Sequence, residues 1–353
     1  MLIVELAFRW YGEKDRIPLK YIKQIPRVLG IVTALYDVLV GEIWSIEKML
    51  HIKNQIEAEG LKFSVIESIP VHEDIKLGNP NRDKLIDNYS KSIQNMGSLG
   101  IPVLCYNFMP VFDWVRTDLA KKNPDGSNSL SYNHSKLKEI DFQKDSLDLP
   151  GWATSYTKKE LINFINAYSK IDDEALWSNL EYFLKKVVPV AEESGVKMAI
   201  HPDDPPWSIF GLPRIITDEA ALDRLVEIID SPSNGITFCT GSLGANLKMD
   251  VVKAIRKFGA LDRIPFVHFR NVKHINGKIF YESEHPTEFG DINMYEVVKA
   301  LIDVEFDGVI RPDHGRMIWG EQGRPGYGLY DRALGIMYLA GLWEGISKTY
   351  KIE

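Results

Sequence analysis

Short runs of β-branched and other apolar residues recur along the chain, each followed by a longer stretch whose apolar residues return every three or four positions. Continuous runs of this length fit strands buried on both faces, and the three-to-four spacing fits amphipathic helices. Eight runs stand out, at 2–8, 30–34, 62–67, 102–107, 197–201, 235–239, 265–269 and 308–311. The helical stretches lie at 43–59, 83–96, 172–193, 218–229, 250–258 and 293–302. Asp83, Asp172, Asp218, Asp250 and Asn293 open five of them as candidate N-caps.

Strands alternating with helices predict a parallel sheet, and eight such units match a closed (β/α)8 TIM barrel better than an open doubly wound sheet. The spacing has one large irregularity. About 90 residues separate the fourth and fifth strands, so a single barrel domain, 1–353, is expected to carry a long insertion at 109–195. Segments 123–127 (Asn-Pro-Asp-Gly-Ser) and 148–152 (Asp-Leu-Pro-Gly-Trp) read as loop there. Trp114, Trp152 and Tyr156 give the insertion aromatic residues for covering the barrel mouth or meeting a partner.

Four late strands end in groups that bind metals. The fifth stops at His201, the sixth at Cys239, the seventh carries His268, and the eighth runs through "GVIRPD" to Asp313. Spacings of 38, 29 and 45 residues fit successive strand-helix units. The four groups would therefore converge at the C-terminal face, where barrel enzymes build their sites. Imidazole, thiolate and carboxylate are all divalent-metal ligands; the thiolate favours Zn or Fe(II), whereas Mn prefers oxygen and nitrogen donors. His51, His72, His134, His274 and His285 have no such placement and read as solvated.

Composition narrows the function classes. Of 353 residues 45% are hydrophobic and 26% charged, as in ordinary globular proteins, and no apolar run approaches the roughly 18 residues of a membrane span. With no secretory signal in view, a cytoplasmic location is expected. Two cysteines, Cys105 and Cys239, cannot form a disulfide framework. A net charge of −7 argues against nucleic acid as a partner. No glycine loop of the Walker or dinucleotide type is present.

His314 follows Asp313 directly and is placed to carry protons beside a metal. Tyr327, between Gly326 and Gly328, sits in a loop flexible enough to aim a phenol at the same point. Arginines gather where strands end, at Arg9, Arg270, Arg311 and Arg316, with Arg324 in the loop beyond. Guanidinium forks suit carboxylates. A metal, a histidine and an anion site together suggest chemistry α to a carboxylate, with an acid-assisted leaving group.

At these residues the chain closely resembles the mannonate dehydratases of hexuronate and glucuronate catabolism. The likeness runs through "FRWYG", "CYNFMPVFDWVRTDL", "AIHPDDPPWSIFGLPRI", "TFCTGSLG", "HFRNV", "RPDHGR" and "GRPGYGLYDRALG". The resemblance implies a xylose-isomerase-like barrel that dehydrates D-mannonate to 2-keto-3-deoxy-D-gluconate. It implies Mn2+, with Fe2+ as the alternative, held by His201, Cys239, His268 and Asp313. It also implies His314 and Tyr327 as the proton-transfer pair and a homo-oligomer, a dimer first. Arg9, Asn107, Arg270 and Arg316 are the substrate-binding candidates. A metal-dependent sugar isomerase or epimerase would lean on several Glu and Asp ligands instead, a nuclease would want a basic groove, and a non-catalytic binding barrel would need no His314.

Overall fold

The computed structural model describes residues 4–139 and 157–350. Eight parallel strands close a barrel: β1 (Glu5–Arg9), β2 (Val28–Thr33), β3 (Lys62–Glu67), β4 (Val103–Tyr106), β7 (Lys197–Ile200), β8 (Asn234–Cys239), β9 (Phe266–Phe269) and β12 (Val309–Pro312). Neighbours follow the chain around the ring, and β1 pairs with β12 to seal it. The eight expected runs are these strands, with no end moved by more than three residues. β4, β8, β9 and β12 are buried at every position, as continuous apolar runs require. Below the mouth the interior is filled by Ala7, Val32, Val65, Val103, Ala199, Phe266 and Val309 together with Cys105.

The helices begin where the chain offers a cap. Asp172, Asp218, Asp250 and Asn293 each accept a hydrogen bond from the backbone N–H three residues on, opening Asp173–Glu193, Glu219–Ile228, Val251–Ala260 and Met294–Asp303. Asp83 differs from the expectation: it lies inside the first turn of Arg82–Ser98, where its charge suits the helix N-terminus. Among the described residues no helix is long and apolar enough to cross a membrane.

A second, four-stranded antiparallel sheet, not read from the sequence, stands beside the mouth in the order β10-β11-β6-β5. β5 (Asp118–Lys122) and β6 (Asn128–Asn133) form a hairpin whose turn is the predicted loop 123–127, with Asn123 N–H bonded to the Ser127 carbonyl at 2.9 Å. β10 (Val272–Asn276) and β11 (Ile279–Glu282) form another directly after β9. β6 pairs with β11, so the excursions after β4 and β9 are joined across the top of the barrel. The span 109–195 also holds the helices Lys158–Tyr168 and Asp173–Glu193. The expected loop at 148–152, and Trp152 and Tyr156, lie outside the described residues.

Candidate metal centre and catalytic pair at the barrel mouth

Register brings the metal-type side chains to one height. Cys239 on β8 is the register partner of His268 on β9, and His268 is that of Arg311 on β12, two residues before Asp313. His201 follows β7 directly, its N–H bonded to the Tyr106 carbonyl. The ligand atoms of His201, Cys239 and His268 all lie within 4.8 Å of one another. Asp313 joins them, 3.6 Å from the Cys239 sulfur and 3.7 Å from Nδ1 of His268.

The donors fit a cation. Nδ1 of His201 lies 2.7 Å from the Pro202 carbonyl oxygen, which only accepts, so Nδ1 carries the proton and Nε2 a lone pair. His268 turns Nε2 to the Glu67 carboxylate at 3.3 Å and leaves Nδ1 as a lone pair. With that tautomer the two nitrogens converge at 3.2 Å, turned toward one point that a shared cation would occupy. Burial alone would raise the Asp313 carboxyl, yet the cationic groups around it, Arg270 and Arg311 among them, hold it well below the usual range, so it is ionised. Two neutral imidazoles, a sulfur and a carboxylate are a donor set suited to a divalent transition metal.

His314 and Tyr327 meet beside this group, with Nε2 of His314 2.9 Å from the Tyr327 hydroxyl and 3.9 Å from Asp313. Nδ1 of His314 is 2.7 Å from Oε1 of Glu282 on β11. Nη1 of Arg270 also lies 2.9 Å from this nitrogen, but it is 3.0 Å from the same Glu282 oxygen; with the guanidinium donating to the carboxylate, Nδ1 donates there too and Nε2 accepts from the phenol. Trp114 packs against the same imidazole at a centroid distance of 4.5 Å. Burial, with Tyr11 and Asp313 close by, pushes the Tyr327 phenol well above its ordinary value, so it enters as the neutral acid. Both flanking glycines are required. Gly326 has φ +78°, and a Cβ at Gly328 would run into the Glu321 carboxylate.

His201, His268, Asp313, His314, Tyr327 and Trp114 line a cavity of about 230 Å3 that also takes in Arg9, Tyr36, Glu67, Asn107, Asp204 and Arg324. It is smaller than the roughly 300–1,000 Å3 of sites for drug-sized ligands and suits a small metabolite. An outer cleft of about 830 Å3 adjoins it, the two sharing Tyr11, Tyr36, Arg324 and Tyr327. Nε and Nη1 of Arg9 have no hydrogen-bond partner, although Nη1 lies 3.3 Å from Glu67.

Two of the four substrate-binding candidates do not reach the cavity. Arg270 lies buried beneath it, 3.0 Å from Glu282, 2.8 Å from Asp204, 3.4 Å from Asp313 and 3.5 Å from the Cys239 sulfur. A Cβ on Gly241 would strike its guanidinium, so that glycine makes the room. Arg316 is held at the rim by Asp331, Asp125 and Glu284. In both, acidic neighbours occupy the fork that was expected to bind substrate. His285 departs from its solvated reading as well: it is buried, 3.3 Å from Asp331.

Arg116, Asp204, Glu282 and Glu67 were not singled out from the sequence. Arg116 bonds to both Asp204, at 2.7 and 2.9 Å, and Glu282, at 2.8 Å, which completes a buried ion cluster with Arg270. Arg116 and Glu282 belong to segments 166 residues apart, joined by the accessory sheet, and no local pattern announces that meeting. Glu67 did leave a signal: it stands two residues after inward-facing Val65, at the same strand-end level as His201 and His268.

The chain matches the sequence model of the D-mannonate dehydratase (UxuA) family over residues 4–353. It is 58% identical over 348 residues to the mannonate dehydratase of Streptococcus agalactiae serotype III, covering 99% of this chain and 100% of that one. It is 54% identical over 344 residues to mannonate dehydratase 2 of Halalkalibacterium halodurans, covering 98% and 100%. The crystal structure of mannonate dehydratase from Streptococcus suis serotype2 superposes with a TM-score of 0.92 at 51% identity, over 98% of this chain and 96% of that one. A xylose isomerase domain protein from Planctomyces limnophilus shares the barrel alone, with a TM-score of 0.55 at 11% identity over 98% and 99% of the two chains.

Proposed function

The chain belongs to the D-mannonate dehydratase (UxuA) family, and from that premise we propose that its mouth cavity removes water from D-mannonate to give 2-keto-3-deoxy-D-gluconate. The observation that carries this reading is the His314–Tyr327 pair, 2.9 Å apart, in one small cavity with His201, His268 and Asp313, the Cys239 sulfur lying buried within 4.8 Å of the two imidazoles. Those four would hold Mn2+, or Fe2+ in its place. When bound, the ion supplies Lewis acidity to the substrate carboxylate and a hydroxyl, which acidifies the C2 proton.

Arg9, whose Nε has no hydrogen-bond partner among the described residues, and Asn107 bind and orient the sugar acid. Glu282 holds the His314 ring by its Nδ1–H, so that Nε2 and the Tyr327 hydroxyl face the substrate together. One of this pair takes the C2 proton and the other delivers a proton to the departing C3 hydroxyl. Water leaves, and the enol tautomerises to the 2-keto acid. Trp114 covers the imidazole and excludes water from it. The same reading takes the protein as a single cytoplasmic barrel domain, with 109–195 as part of its mouth, acting as a homodimer. Light scattering tests the last point against the 40.2 kDa of one chain.

The test is an anaerobic assay of metal-stripped protein with D-mannonate, adding Mn2+, Fe2+, Zn2+ or Mg2+ singly and detecting 2-keto-3-deoxygluconate. Product with Mn2+ or Fe2+ and none from the stripped protein is expected. Turnover of a free sugar, with no keto-deoxy acid under any ion, would replace the dehydratase by an isomerase or epimerase.

A further inference from the structure

Glu67 ends β3 on the side of the His268 ring away from the other metal-type donors. Its Oε1 receives Nη2 of Arg311 at 2.8 Å, while Oε2 faces Nε of Arg311 at 3.2 Å, Nη1 of Arg9 at 3.3 Å and Nε2 of His268 at 3.3 Å. Two of these partners continue to the metal-type group: Arg311 reaches the Asp313 carboxylate at 3.1 Å, and His268, the one that is itself a donor of the group, reaches His201 through its opposite nitrogen at 3.2 Å. We propose that Glu67 is a positioning residue for the metal: by accepting the Nε2–H of His268 it fixes the tautomer and ring orientation that offer Nδ1 to the ion. The inference rests on the reading of His268 as a metal ligand.

A competing reading makes Glu67 a ligand itself, because its carboxylate, the Cys105 sulfur and His268 also lie within 4.8 Å of one another. Charge decides against it. Two guanidiniums, of Arg9 and Arg311, already lie within 3.3 Å of the carboxylate, so a divalent cation there would meet net positive charge. Cys105 is packed in the apolar layer of the barrel interior. A plain barrel salt bridge accounts for the arginines but not for the imidazole turned edge-on to the same oxygen. Carboxylates that accept from a ligating histidine hold its ring in place and raise its basicity, and their loss typically weakens metal binding about 10- to 100-fold.

Competition with a fluorescent chelator, on the full chain stripped and then titrated with Mn2+ and, anaerobically, with Fe2+, tests this. The expected result is that Glu67→Gln binds 10- to 100-fold more weakly than the wild type, and His268→Ala more weakly still. Equal affinity of Glu67→Gln and wild type, with His268→Ala impaired, overturns the role of Glu67 alone. Absence of binding by the wild type, or full affinity in His268→Ala, removes the underlying site instead. A reading on the unmutated protein covers the case in which Glu67→Gln fails to fold. Histidine-selective 15N spectra of the metal-free wild type should show the His268 proton on Nε2, and a proton on Nδ1 would contradict the proposal.

Discussion

Along the same barrel strands, two layers of inward-facing residues one alternation apart differ in kind. The lower layer is Ala7, Val32, Val65, Val103, Ala199, Phe266 and Val309, apolar and sealed from water. Two residues further on, at the same side of each strand, come Arg9, Ala34, Glu67, Cys105, His201, His268 and Arg311. The lower layer excludes water and fixes the distances between strands. The upper one uses those distances to hold charged groups at separations they would not keep in solution. Burial works against charge there, yet Glu67 and Asp313 stay well below the usual carboxyl range because arginines surround them, Arg311 and Arg9 beside Glu67 and Arg270 and Arg311 beside Asp313. The difference teaches that the chemistry is not an addition to the barrel but its next layer.

Perturbing each layer separately should sharpen the contrast. His314→Ala acts above both layers and should lower kcat about a thousandfold, or ~4 kcal/mol of barrier, with metal content by mass spectrometry unchanged. A parallel loss of metal would move His314 into the ligand set. Asp204→Asn, which strips a partner from buried Arg116 and Arg270, should lower unfolding free energy by about 3 kcal/mol. Burial would raise the Asp204 carboxyl, but Arg116 and Arg270 depress it far below its unfolded value of roughly 3.9. Its contribution is therefore complete well above that pH and is lost progressively as pH falls below it toward the depressed folded value. Melting curves from pH 5 to 3 should decline less steeply in Asp204→Asn than in the wild type.

In the lower layer Val65→Ala should cost about 2 kcal/mol of stability while leaving kcat/KM within roughly twofold. It should shift the pH–stability curve without changing its shape, since that layer contains no acid or base. A large kinetic defect would mean that the layers are not separable. The smallest effect is expected at the rim, where Arg316→Ala should cost about 1 kcal/mol or less and leave KM for D-mannonate unchanged. A tenfold rise in KM would return Arg316 to the substrate site.

What the sequence disclosed follows from where information is local. The barrel was legible because a strand buried on both faces leaves a continuous apolar run, and because Asp172, Asp218, Asp250 and Asn293 write helix starts into the chain. His201, Cys239 and His268 were legible because each interrupts such a run at its end. Arg270 looked the same as Arg9 in sequence, yet one is enclosed by Glu282, Asp204 and Asp313 and the other lines the cavity. The identity of a guanidinium's partner is a tertiary fact. The accessory sheet went unread because β5 and β11 alternate weakly and stabilise each other only through β6.

Closing the ring through β1 and β12 also sets a timetable for biosynthesis. Glu5 and Val309, register partners, are 304 residues apart (309 − 5). At translation rates of roughly 5–20 residues per second, the first strand waits about 15–60 s for its neighbour to be made. Through that interval one flank of Glu5–Arg9 offers unpaired N–H and C=O groups, a template on which a strand of another chain can add. Asp313 emerges only after the strand that fills that gap, so no earlier nascent intermediate brings it together with His201, Cys239 and His268. A barrel that shows no edge when finished is thus an open sheet for most of its synthesis, and its demand for chaperone shelter is set by the arrival of one late strand.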